Sequence, residues 1–219
     1  MSVLSESTAF TTFAGVEPIE LQWLWYPYVP MRHLTLVYGE DGETVRLFLL
    51  ELASRLSTGQ LGDKPEENKR IHFDDGMLNP GWIKGELESR GANTAMVSFG
   101  IGEGIESLLS AKDEFLKAGV KTLILSSVED FIVTKKSVKQ AEVNQQLKQL
   151  SSFADYVGCA VILGSRALHP KNDGISRSLT EPLRRMPRSI LEVGAEDNGF
   201  SIRQIKNNLA SVGETIRCY

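Results

Sequence analysis

The sequence has 219 residues, 42% hydrophobic and 24% charged, which suits one large α/β domain with a buried core rather than two small ones. Its net charge of −4 excludes a global attraction for nucleic acid or for an anionic membrane, so any DNA contact has to rest on a local basic patch. Cys159 lies in an apolar run and Cys218 at the C-terminus, without metal or redox spacing. Reduced thiols, no metal site and a cytoplasmic location are therefore expected, the last also because no apolar run approaches a membrane span and the N-terminus lacks the regions of a signal peptide.

Residues 1–17 are expected to be loosely ordered, with Ser and Thr concentrated in the first 15, ahead of a single domain over 18–219. Pro18 to Pro30 then carries Trp23, Trp25, Tyr26 and Tyr28. Aromatic side chains can stack on nucleobases, but they more often cover one edge of a core, and core packing is the preferred reading.

Leu34, Leu36 and Tyr38 alternate with Thr35 and Val37 up to Gly39, the pattern of a buried strand. Asp41-Gly42 supplies a turn and Thr44 stands where a helix N-cap is expected. Val45, Leu49, Leu52, Ala53 and Leu56 then recur at helical spacing until Gly59. Strand, glycine turn and helix is the geometry of a phosphate-binding loop, in which N–H groups at a helix N-terminus face an anion. The pattern G-x-x-x-x-G-K-[ST], laid on the chain from Gly39, passes through Gly42 and Glu43. It puts Thr44 at the second glycine, Val45 at the lysine and Arg46 at the hydroxyl. Only the first glycine fits, and Glu40, Asp41 and Glu43 would repel a triphosphate held close by. On residue content, an ordinary strand–turn–helix connection is the better description.

Arg70 to Phe73 reads as a second strand ending at Asp74-Asp75-Gly76. Ligands of open α/β sheets gather beyond strand C-termini, so Asp74 and Asp75 are candidates for a general base or metal contact, against the alternative of a plain Asp-Gly turn. Asn79-Pro80 starts a helix running to Gly91, Thr94 to Phe99 is a third strand, and Gly102-Glu103-Gly104 opens one helix ending at Ala118-Gly119. Lys121 to Ser127 is a buried strand whose end carries hydroxyls, Val143 to Val157 an amphipathic helix, and Cys159 to Leu163 the next strand. Ser165 to Pro187 reads as a polar, irregular segment. It holds Arg166, His169, Lys171, Arg177, Arg184 and Arg185, with Arg188 just beyond, and is either a nucleic-acid or partner contact or a solvated loop. Ser189 to Val193 and Phe200 to Ile205 flank Asn198-Gly199 as a hairpin. The order predicts an α/β, three-layer fold with a mainly parallel sheet and a C-terminal antiparallel hairpin.

Pro18 to Gly59, with its WLWYPYVP run leading into the strand, resembles the opening of the RecA-like P-loop ATPases of the plasmid RepA-type hexameric helicases, found in bacterial mobile elements and replication modules. The similarity continues over most of the chain. Phe73-Asp74-Asp75-Gly76 resembles the family's A-E-D-G, which would give Asp74 the place of the catalytic glutamate and Asp75 that of the following acid. Leu123-Ile124-Leu125-Ser126 resembles the strand ending in the Mg²⁺-organising aspartate, with Ser126 in its place. Val161 to Arg166 resembles the strand ending in a sensor histidine, with Arg166 in its place, and Lys206 keeps a lysine that in the family lies near the neighbouring subunit's nucleotide.

The apolar pattern of each element is kept while lysine, hydroxyl, acid and histidine positions all differ. Phosphoryl transfer depends on several such groups acting together around Mg²⁺. The resemblance therefore implies a degenerate RecA-like protein without ATPase activity or cofactor, an accessory in DNA replication or a mobile element. It would act through a homo-oligomer, a RecA-like relative or single-stranded DNA, with no membrane partner. The alternative is an active ATPase binding ATP and Mg²⁺, in which Arg46, Arg166 or Lys206 replaces the lysine and Asp75 the acid.

Overall fold

Period-two alternation sorts the central strand between two cores. In the computed structural model, β3 (Leu34–Gly39) directs Leu34, Leu36 and Tyr38 into one core and Val37 into the other, and all six of its residues are buried. The structure describes residues 13–61, 67–76, 79–100, 104–132, 139–166, 168 and 177–218. The expectations for residues 1–12, Gly102, Glu103, His169 and Lys171 fall outside them.

Along the chain follow α1 (Gly42–Thr58), β4 (Ile71–Asp74), α2 (Pro80–Ser89), β5 (Val97–Phe99), α3 (Ile105–Ser110), α4 (Lys112–Ala118) and β6 (Thr122–Leu125). Then come α5 (Val128–Ile132), α6 (Gln140–Val157), β7 (Ala160–Ser165), α7 (Arg177–Arg185), β8 (Ser189–Glu196), β9 (Gly199–Asn207) and β10 (Ile216–Cys218). Ahead of them, β1 (Trp23–Trp25) and β2 (Val29–Pro30) form a separate antiparallel pair. The main sheet has eight strands in the order β10-β9-β8-β3-β7-β6-β4-β5. Its strands from β8 to β5 pair in parallel, while β8, β9 and β10 pair antiparallel. The chain steps from β3 out to β4 and later returns through β6 and β7, so the sheet reverses direction beside β3, the place where crevices form at strand C-termini.

Helix α1 presents Val45, Phe48, Leu49, Leu52, Ala53 and Leu56 to one face together with α2, Leu24 and Val29; α3 to α7 cover the other. Each fully buried Leu or Phe contributes about 2 kcal/mol from area removed from water, which makes these two faces the main source of stability. Tyr28 is buried and donates its hydroxyl to the Glu214 carbonyl at 2.7 Å, whereas Tyr26 is 67% exposed. The aromatic segment is therefore divided between core and surface.

Several boundaries differ from the sequence reading. The N-cap of α1 is Asp41, whose carboxylate takes the Thr44 N–H at 2.7 Å; Thr44 lies inside the first turn. The expected strand over 94–99 starts with a short 3₁₀ turn because Asn93 accepts from the Ala95 N–H, and the helix expected over 105–118 breaks into two around Ala111. The polar segment before β8 contains α7, which buries Leu179, Pro182 and Leu183 and leaves its arginines outside.

Thr35 and Thr122 each bury a hydroxyl with no hydrogen-bond partner. Thr35→Val keeps the shape and removes the unpaired oxygen, so it is expected to raise stability by about 1 kcal/mol, read as a higher urea midpoint at unchanged slope.

Candidate functional site

The parallel strands β3, β7, β6 and β4 all end at one edge of the sheet, and most of the residues singled out from the sequence meet there. The connection at Gly39 is short: β3 ends at Gly39, α1 begins at Gly42, and only Glu40 and Asp41 lie between. Neither Gly39 nor Gly42 takes a positive φ, so the backbone does not form the concave run of N–H groups that cradles a phosphate. The N-terminus of α1 already holds an anion of its own. Asp41 accepts the Thr44 N–H through one carboxylate oxygen and the Thr44 hydroxyl, at 3.1 Å, through the other. Glu43 lies in the same first turn.

Val45, at the position of the phosphate lysine, is 1% exposed and belongs to the core under Gly39. Gly39 is itself tightly enclosed, since a Cβ added there would stand 2.8 Å from the Val193 carbonyl oxygen and 3.0 Å from a Val45 methyl.

Arg46 reaches across to β4. Its Nε lies 3.2 Å from Asp75 Oδ2, an oxygen that also accepts the Ser126 hydroxyl. Asp75 is 4% exposed and Ser126 5%. The three positions that the resemblance assigns to the metal hydroxyl, the metal aspartate and the acid after the catalytic one are thus joined directly, with a guanidinium as their cation. A guanidinium carries five donors and no lone pair, so Arg46 cannot ligate a metal ion.

Asp74 is 2% exposed and turns to the other side, where its Oδ1 accepts the Gly76 N–H at 3.2 Å. A Cβ on Gly100 would stand 2.5 Å from Asp74 Oδ2 and 3.1 Å from His72 Nε2, so only glycine fits there. The sequence reading passed over Glu129, which is buried and binds the ends of β6 and β7 together. Its Oε1 accepts the Ser165 hydroxyl at 2.7 Å and the Arg166 N–H at 3.0 Å. The signal for it was an acid in the first turn after a buried strand, a position favoured by the helix dipole.

The remaining basic candidates lie elsewhere. Lys206 pairs with Ile190 near the beginning of β8, and its ammonium donates to the carbonyls of Arg184, Arg185 and Pro187 at 3.1, 2.9 and 2.8 Å. Burial and the nearby Arg188 push its pKa down. Lys206 therefore closes the C-terminal end of α7, as cations do at helix C-termini. Arg177, Arg184 and Arg185 are on the exposed side of α7, with Arg185 donating to Asn144 Oδ1 at 2.8 Å, and Arg188 precedes β8. Cys159 is fully buried, which pushes its thiol up to about 12 and removes it from nucleophilic chemistry.

His72 carries a titration of its own. The Ser98 hydroxyl donates to the Ile71 carbonyl at 3.1 Å and so accepts from His72 Nδ1 at 3.0 Å, which leaves Nε2 as a buried lone pair without a partner. Burial lowers its pKa from 6.5 to about 4. The unfolded chain binds this proton at a higher pH than the folded one. Stability is therefore constant above pH 6.5 and falls between 6.5 and 4, by up to about 3 kcal/mol. Urea midpoints across that range should show the fall, and His72→Asn should remove that share of it.

No helix among the described residues is long and apolar enough to cross a membrane. No family model matches the sequence, and no curated protein does. Among solved structures, the chain is similar to one described as a DnaB-like replicative helicase and its interactions with primase, at 12% identity and a TM-score of 0.65 over 87% of this chain and 55% of that one. The chain thus spans about half the length of that structure. At such an identity the likeness establishes the fold alone: a RecA-like α/β fold with a mainly parallel sheet and a C-terminal antiparallel hairpin.

Proposed function

We propose that this chain is a degenerate RecA-like module, related to the plasmid RepA-type helicases, that does not hydrolyse ATP and serves as an accessory in DNA replication or in a mobile element. The observation that carries this reading is the Arg46–Asp75–Ser126 contact: a fixed guanidinium holds the acid that would otherwise face a divalent cation. Asp41 supports it, because its carboxylate takes the helix N–H group that a phosphate would need. An ATPase using substitute residues is the weaker reading, since Arg46 is committed to Asp75 and Lys206 to the carbonyls at the end of α7. Calorimetric titration with ATP, with and without Mg²⁺, together with phosphate release, tests the proposal. The expected result is no Mg²⁺-dependent binding and no turnover above background. Robust turnover overturns it.

The same reading has the chain act through contacts with copies of itself, a RecA-like relative or single-stranded DNA. The exposed arginines of α7 are the proposed nucleic-acid contact, because they form a local basic surface on an acidic chain. If an oligo-dT strand binds, Arg184→Ala with Arg185→Ala should weaken it and lower the salt slope by about 1 to 2, one counterion per lost phosphate contact. An unchanged slope moves the contact elsewhere.

A further inference from the structure

The two edges of the main sheet are guarded unequally. At one edge β10 carries Arg217, whereas at the other β5 reads Val97-Ser98-Phe99 without a charge and, among the described residues, pairs only with β4. Open edges are usually blunted by a charge, a proline or a covering segment, because their main chain pairs readily with a further strand. Phe99 is 57% exposed on this edge. Between β5 and α2 lies a groove of about 480 Å³ lined by Phe73, Ile83, Leu87, Val97 and Phe99. Lys84 is the charged residue in its lining, and its ammonium stands 3.5 Å from Glu88 in an exposed pair of the kind that contributes little.

The same chain carries an uncovered arm. Residues 13–22 are all exposed, and residues 16–22 are neither helix nor strand. The arm is fixed at its base, where the Met31 N–H donates to the Gln22 carbonyl at 2.9 Å and β1 begins at Trp23. Four large apolar side chains, Phe13, Val16, Ile19 and Leu21, are exposed along it, Ile19 at 91%. Scattered exposed apolar residues need no explanation, but four within nine positions mark a contact surface. The residue order suits an edge strand. Alternate residues of a strand share a face and a hydrogen-bonding direction, so Glu17, Ile19 and Leu21 form one set and Pro18 and Glu20 the other. When the first set bonds an edge, the missing N–H of Pro18 points away from it and costs no ladder bond.

We infer that the β5 edge and its groove receive the arm of a second copy of this chain, which adds as a strand to β5 with Ile19 and Leu21 in the groove over Val97 and Phe99. The inference rests on the reading in which the chain acts through copies of itself, and it names the two surfaces that meet. Main-chain bonds along β5 hold the arm, and its alternate side chains select it. The charges agree: the arm brings Glu17 and Glu20 and no cation from Phe13 to Met31, while the charge in the groove lining is that of Lys84. A nucleic-acid strand is a poorer occupant, because one cation answers few phosphates. Arm and groove are unlike surfaces, so the contact is heterologous and runs from copy to copy until a ring closes.

Two variants of the full chain test this, an arm variant with Ile19→Asp and Leu21→Asp and a groove variant with Phe99→Asp. All three side chains are exposed, so the fold is retained. Light scattering at high concentration is expected to show association of the unmodified chain, single chains for each variant alone, and a two-chain species when the variants are mixed, since one intact arm then meets one intact groove. As a second measurement, a labelled peptide of residues 13–22 should bind the arm variant, whose groove is intact, and bind the groove variant about tenfold or more weakly by fluorescence anisotropy. A peptide that does not bind, or that binds both variants equally, overturns the proposal. Variants that keep the mass of an associating unmodified chain overturn it too, while leaving self-association through another surface. A mixture that stays as single chains shows each arm on its own groove and also overturns it. An unmodified chain that stays single at high concentration removes this interface and the self-association reading together.

Discussion

Val45→Lys, which puts a lysine at the position that the phosphate-loop pattern gives to one, is expected to destabilise the protein by about 3 kcal/mol or more and to confer no affinity for Mg-ATP. Val45 is 1% exposed, packed beneath Gly39 and among the side chains of the α1 face of the core. A lysine there must bury its ammonium or break the first turn of α1. Asp41 holds that turn closed, and Arg46 anchors the next residue to Asp75. Urea denaturation and Mg-ATP titration of the same variant separate the outcomes. A folded Val45→Lys protein that binds Mg-ATP would show that the turn opens readily into a phosphate loop, and the non-hydrolysing reading would lose its structural basis.

Gly164→Ala is expected to cost about 3 kcal/mol, as overpacking against backbone does when nothing flexible can yield. A Cβ at Gly164 would overlap the Ser126 carbonyl oxygen and stand 2.8 Å from Leu49 Cδ1. Gly164 lies near the end of β7, one residue before Ser165, whose hydroxyl donates to Glu129. The same closeness that excludes a methyl group sets the end of β7, where Ser165 binds Glu129, beside Ser126, which binds Asp75. The variant should show a lower urea midpoint. If it unfolds at the midpoint of the unmodified protein, the tight contact between β7 and the end of β6 is wrong.

Sequence reasoning was strongest where a side-chain period repeats. Alternation in Leu34 to Tyr38 and helical spacing from Val45 to Leu56 need no partner to be visible, and the structure holds those residues in the two cores expected of a mainly parallel sheet. The C-terminal hairpin was equally legible, because Asn198-Gly199 is a local turn signal between two alternating runs. Helix α7 was missed. Its nine residues include three arginines and an internal proline, and only burial of Leu179 and Leu183 in the core that α6 shares favours it.

The candidate site shows the same division between local and distant information. The resemblance by itself implied that Val45, Arg46, Ser126 and Arg166 stand where the family has a lysine, a hydroxyl, an acid and a histidine. What those side chains contact was decided by tertiary structure, because each partner comes from a different strand end. Arg46 meets Asp75 across 29 residues, Ser126 meets Asp75 across 51, and Glu129 meets Ser165 across 36. No short-range pattern encodes such pairings. Lys206 makes the point in reverse: the resemblance implies a lysine facing a neighbour's nucleotide, while the register of β8 with β9 brings its ammonium to the carbonyls that end α7. The sequence determined which chemical groups are present and which layers bury them, through periodicities local to each element. Only packing decided which charges meet, because an ion pair between strand ends depends on strand order and register.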